Sequence, residues 1–161
     1  MQIEMKVKFI TFDPSSNGFV VLLMDLENKQ ALPIWIGPFE ANAIALKLKK
    51  ATSQRPMTHD LIRNLIESLD CKVSHVVVND LKENTYYGLI YLKTNDTQFS
   101  IDSRPSDAIA IALGAEVPIY VEEDVLRRTK KATLDKEGQE IPDQLKEWIE
   151  NLEPEDFEGK A

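Results

Sequence analysis

The chain is 161 residues long and 43% hydrophobic, with a formal net charge of -8 and one cysteine, Cys71. This leaves room for one domain with a real core, excludes an internal disulfide, and offers no apolar run long enough to cross a membrane. The charge is unevenly held: residues 1–131 carry 16 Lys+Arg against 17 Asp+Glu, and residues 132–161 carry 3 against 10. The body is therefore close to neutral, so the total charge does not exclude a phosphate-binding surface on it. A lone cysteine and an N-terminus without a signal-peptide pattern make the reducing cytoplasm the expected compartment.

Residues 3–13 alternate in the manner of a strand, with Val7, Phe9 and Phe12 apolar and Lys6 and Lys8 polar. Pro14-Ser15-Ser16-Asn17-Gly18 is a turn. Phe19 to Leu26 is a second strand, apolar enough for burial on both faces, and Gln30 to Ile36 is a third, with Trp35 expected in the core. Two hairpins in succession predict an antiparallel meander. A helix is expected from Pro38 to about Lys50, with Lys47, Lys49 and Lys50 at its exit, where cations meet the negative end of the dipole. After a loop holding Arg55-Pro56, Thr58 suits the cap of a second helix from His59 to about Leu69. Leu61, Ile62, Leu65, Ile66 and Leu69 form its apolar face.

Lys72 to Leu81, Tyr86 to Lys93 and Thr97 to Ile101 read as three more strands, and Pro105 to Gly114 as a helix. Val117 to Val121 is a short strand whose Pro118 suits an edge or first position. From Glu122 one or two helical turns are expected, then a polar stretch from Ala132 to Glu140. An amphipathic helix is expected over 141–152, with Leu145, Trp148, Ile149 and Leu152 as its stripe. The expected fold class is α+β: a mostly antiparallel sheet with a duplicated strand–corner–helix unit and about three main helices. The domain is expected over 1–126, with a basic then acidic tail over 127–161.

The duplication is visible in the letters. Gly37-Pro38-Phe39-Glu40-Ala41-Asn42-Ala43-Ile44-Ala45-Leu46 aligns without a gap with Arg104-Pro105-Ser106-Asp107-Ala108-Ile109-Ala110-Ile111-Ala112-Leu113. Each copy opens with Pro at a first helical position and places an acid, Glu40 or Asp107, in the first turn. Alanines spaced by four leave a groove for close helix packing. If the two helices run side by side in one direction, their mouths converge.

No phosphate-cradling glycine loop, zinc spacing or nucleophile elbow is present. The candidate residues all lie at corners leading into helices: Glu40; Arg55, His59 and Asp60; Asp102, Arg104 and Asp107. Glu40, Asp102 and Asp107 are oxygen donors of the kind that hold Mg²⁺ or Mn²⁺. His59, Asp60, Asp102 and Asp107 are candidates for proton transfer, and Arg55 and Arg104 for a bidentate grip on phosphate. Each has a plainer reading: Glu40 and Asp107 as helix caps, Asp102 with Arg104 as a corner pair, His59 as a surface or cap residue, Asp60 as dipole compensation. Arg127-Arg128-Thr129-Lys130-Lys131 is the densest basic run, suited to a nucleic-acid backbone or to the acidic tail.

Four ordered stretches carry a resemblance. Leu32-Pro33-Ile34-Trp35-Ile36-Gly37 with Glu40-Ala41, Arg55-Pro56-Met57-Thr58-His59-Asp60-Leu61, Asn84-Thr85-Tyr86-Tyr87, and Asp102-Ser103-Arg104-Pro105-Ser106-Asp107-Ala108-Ile109 resemble the bifunctional nuclease domain family, over about residues 5–126. The resemblance implies an α+β fold, a homodimer, and a bacterial cytoplasmic phosphodiesterase acting on DNA and RNA. Divalent-metal dependence comes from the helix-mouth residues instead. The alternative is a non-catalytic module that binds a nucleotide, a metabolite or a partner protein in the same cleft, which the near-neutral body favours.

Overall fold

The meander read from the first three strands forms, the next three strands form a second, and each runs through a tight corner into a helix. The computed structural model describes residues 1–135. β1 (Gln2–Asp13), β2 (Gly18–Asp25) and β3 (Ala31–Ile36) pair antiparallel in that order and lead into α1 (Pro38–Leu48), which α2 (Thr58–Ser68) follows. β4 (Lys72–Lys82), β5 (Thr85–Lys93) and β6 (Gln98–Ser103) repeat the pattern and lead into α3 (Pro105–Ala115). β7 (Ile119–Glu122) and α4 (Glu123–Asp135) complete the described residues. Asn17, Asn28 and Asn84 take positive φ in the hairpin turns, a conformation that asparagine tolerates better than most residues.

The two meanders join through β7, which pairs antiparallel with β1 and parallel with β4, giving one seven-stranded sheet in the order β3-β2-β1-β7-β4-β5-β6. β3 and β6 are thus the two edges. Yet the corners that follow them touch, since Arg104 reaches Glu40 at 2.9 Å. The sheet must therefore curl its edges toward each other. α1 and α3 lie side by side in the same direction. Their first turns meet through that contact, and in their last turns the Lys47 side chain lies 3.5 Å from where a Cβ on Gly114 would sit.

The core fills the space inside the curl. Val21 and Leu23, Val76 and Val78, Ile90 and Leu92, and Ile119 and Val121 form one buried cluster with α3 residues Ala108 to Ala112, Ile44 of α1, and Val125 and Leu126 of α4. Because α3 is enclosed on nearly every side, its sequence is apolar all round. Its alanines let the neighbouring helix approach.

Several local expectations are corrected. Met57, not Thr58, caps α2, with its amide N–H donated to the Asp60 carboxylate at 3.0 Å. Gly114 lies inside α3 and leaves room for the Arg63 guanidinium, which bonds its carbonyl; the helix ends at Glu116, in the left-handed region. Ile62 and Ile66 meet the core, but Leu61, Leu65 and Leu69 are exposed, because the core reaches only one of the two adjacent stripes of α2. Trp35 stays 40% exposed and donates its indole N–H to Asp13 at 2.9 Å. β7 is an interior strand; Pro118 stands just before it, where its missing N–H leaves no gap in the ladder. α4 is longer than the one or two helical turns expected after Glu122, running over Glu123–Asp135. The expected helix over 141–152 lies outside the described residues.

Candidate functional site

The corner before each repeat helix is built alike. Gly37 and Arg104 are the extended N-cap residues, Pro38 and Pro105 occupy the first helical position, and Glu40 and Asp107 the third. Proline gives up no needed N–H there, and an acid in the first turn faces free backbone amides. The repeat breaks at the cap. A Cβ on Gly37 would collide with the Glu40 carboxylate, so that copy cannot carry a side chain there without displacing its own acid.

Arg104 fills the gap between the two acids. Its Nη1 donates to Glu40 Oε1 at 2.9 Å, its Nε to Asp107 Oδ2 at 2.8 Å and its Nη2 to Asp107 Oδ1 at 3.1 Å. The grip on Asp107 is bidentate, the strongest geometry for this pair. From the other side His59, only 14% exposed in its side chain, places Nε2 2.9 Å from Asp107 Oδ1. One carboxylate thus orients both an imidazole and a guanidinium.

The charges respond accordingly. Burial pushes the Asp107 carboxyl up, but hydrogen bonds from Arg104 and His59 prevail and hold it below the usual range. The Glu40 carboxyl is lowered by its own backbone N–H at the helix N-terminus, then by Arg104. Arg104 is held more firmly protonated by Asp107 and then Glu40. Its side chain is 64% exposed. Three of the five N–H groups of a guanidinium are used here, so two remain for a ligand.

The cluster lies at one end of a groove of about 500 Å³ between α1 and α2. That volume is in the range of small-molecule sites. Ala43, Leu46 and Ile62 supply apolar lining, and Phe39 and Met57 are exposed on it. Lys47, also on the lining, ion-pairs with Asp60, whose carboxyl is lowered by that lysine and by the Met57 amide.

The structure thus brings together Glu40, His59, Arg104 and Asp107, with Asp60 beside them in a capping and pairing role. It does not bring in Asp102, which is exposed on β6 opposite Leu89. Arg55 is exposed on the loop before α2, outside the groove lining and without an ion pair among the described residues. Among the described residues no group of three or more His, Cys, Asp or Glu is placed to hold a metal. Arg104 occupies the position between the two convergent carboxylates. Of the basic run, Arg127 pairs with Asp124, and Arg128 with Asp80, Asp124 and the Leu81 carbonyl. Two residues of the groove were not among the sequence candidates for the site. Lys47 is two helical turns beyond Glu40 and so shares its face, a readable signal. Phe39 is marked only by its mismatch with Ser106 in the repeat.

Residues 21–133 match the bifunctional nuclease domain, and the chain belongs to that family. An uncharacterized protein of Mycobacterium tuberculosis is 38% identical over 165 residues, covering 97% of this chain and 98% of that protein. Bifunctional nuclease 1 of Oryza sativa subsp. japonica is 27% identical over 112 residues, 68% of this chain and 34% of the rice protein. Bifunctional nuclease 2 of Arabidopsis thaliana is 29% identical over 105 residues, 63% of this chain and 32% of that protein. The plant relatives are thus matched over about a third of their length. Among the described residues no helix is long and apolar enough to cross a membrane.

Proposed function

We propose that the protein hydrolyses phosphodiester bonds of DNA and RNA in the groove between α1 and α2. The observation that carries this reading is the convergence of His59 and Arg104 on the Asp107 carboxylate at the groove mouth, in a chain of the bifunctional nuclease domain family. Asp107, kept ionised, accepts from Nε2–H of His59 and fixes the tautomer in which Nδ1 carries the lone pair. Nδ1 then takes the proton of an attacking water. The two spare N–H groups of Arg104 bind the phosphate oxygens and stabilise the charge that develops on them.

Among the described residues no three His, Cys, Asp or Glu side chains are placed to hold a resident cation together. A magnesium or manganese ion that travels with a phosphate needs only one or two carboxylates from the protein. Glu40 and Asp107 are the residues that would hold it, and it would supply neutralisation of the developing charge. Asp102 has no part in this set.

The test is cleavage of a labelled oligonucleotide by identically purified wild-type, His59→Ala and Asp107→Asn proteins, with and without magnesium or manganese. We expect metal-supported cleavage by the wild type and a fall of about 100-fold or more in both variants, with melting temperatures near wild type. Equal residual cleavage by all three, or none under any metal, would overturn the reading in favour of a binding module. The hold of Arg104 on Asp107 through both carboxylate oxygens and on Glu40 through one is the observation on that module's side.

We also infer a homodimer, as the family resemblance implies. The exposed leucines of α2, Leu61, Leu65 and Leu69, offer an apolar stripe on which a second copy can sit.

A further inference from the structure

We propose that Phe39 stacks on an unpaired nucleobase beside the phosphate held by Arg104, so that the groove selects single-stranded nucleic acid. The proposal rests on the phosphodiester reading of the same groove and adds its substrate class. At 86% exposure Phe39 is the most exposed large apolar side chain among the described residues. Leaving a benzyl ring in water forfeits the stabilisation that burial would bring. The fold does not require a ring there, since the matching position in the second repeat is the buried Ser106.

What Phe39 does share is the lining of the groove that holds His59, Arg104 and Asp107. Met57, 51% exposed, lines the same groove with a polarisable thioether. The groove thus has a charged end suited to a phosphate and an apolar flank suited to the face of a base. A base inside a duplex has both faces stacked and its pairing edge occupied, so only an unpaired base can present a face to Phe39. Charge supports a strand over a free nucleotide. Lys49, Lys50 and Arg55 are exposed, without ion pairs among the described residues. They lie on the segment that borders the groove through Ala51, Ser53 and Met57. Three such cations suit the phosphates of flanking nucleotides.

The test uses the full-length protein and a fluorescent phosphorothioate 12-mer, which resists cleavage. Phe39→Ala should weaken binding of the single strand by about 5- to 150-fold, the range of one base–aromatic stack. Phe39→Trp should retain binding, and its added indole emission should be quenched by the strand but not by an abasic strand of equal length or by the matching duplex. Wild-type protein supplies the baseline for Trp35 and Trp148. Unchanged affinity in Phe39→Ala, equal quenching by the abasic strand, or a mononucleotide that binds as tightly as the strand would each overturn the proposal. Metal-supported cleavage that survives Phe39→Ala with unchanged affinity would sink the stacking role and leave the nuclease reading standing. Base-dependent quenching without any cleavage by wild type would do the reverse.

Discussion

Asp13 shows how much a single buried acid can hold. It is 4% exposed, and it accepts the Trp35 indole N–H, the Ser15 amide and hydroxyl, and the Ser16 hydroxyl at 2.7 to 3.0 Å. Burial raises its carboxyl, but the hydrogen bonds from Trp35, Ser15 and Ser16 outweigh this and set it at about 2, below the ordinary 3.8. A carboxyl depressed in the folded state stabilises above its unfolded value and loses that contribution as pH falls through the folded one. The contribution is therefore complete above pH 4 and disappears toward pH 2. Asp13→Asn is expected to cost about 1–2 kcal/mol at pH 7 and to flatten the loss of stability between pH 4 and pH 2, as measured by urea unfolding. A variant that loses stability in acid as steeply as wild type would assign the effect to other carboxylates. Trp35 was expected in the core because tryptophan is mostly apolar. Its N–H decides otherwise, since the acid that satisfies it lies 22 positions earlier, a distance that local pattern does not reveal.

At the scale of elements, α1, α2 and α3 end the same way. Lys50, Asp70 and Glu116 take positive φ, and the residue after each donates its N–H to a carbonyl five positions back, Leu46, Ile66 or Ala112. This is the Schellman ending, which favours glycine at the left-handed position. Glu116→Gly should relieve left-handed strain, adding about 0.5–1 kcal/mol and raising Tm by about 2 °C in a calorimetric scan; an unchanged or lower Tm would show that the Glu116 backbone is not strained. The strands and helices were legible because alternation, turn asparagines and Pro at first helical positions all act locally. The facing of α2 was not. Its two apolar stripes are adjacent on the helix, and only tertiary placement decides that Ile62 and Ile66 go inward while Leu61 and Leu65 stay out. The length of α4 was also underread, because Arg128 fastens that polar helix to Asp80 and the Leu81 carbonyl of β4.

For the whole molecule, the repeat in the letters is the repeat in the fold: two meanders, each running into a helix, with mouths that meet. The meeting of Glu40, Arg104, Asp107 and the nearby His59 in the candidate site was legible in that pattern. Asp102 did not join them, because its position in the repeat matches Trp35, and both stand on edge strands before the corner. The role of β7 as the strand that splices the halves is a long-range pairing that no local signal carries. The inferred homodimer is tested at this scale by light scattering on wild type and on a Leu65→Glu, Leu69→Glu double variant. The wild type should run as a dimer and the variant as a folded monomer; a monomeric wild type would remove the assembly. One contact ties this architecture to chemistry, the Arg104 guanidinium of one half on the Glu40 carboxylate of the other. The proposed centre is therefore common property, intact only while both halves stay docked. Separated, each would keep a fragment of the cluster, so heat or denaturant should extinguish the proposed cleavage in step with the cooperative melting of the body, not beforehand.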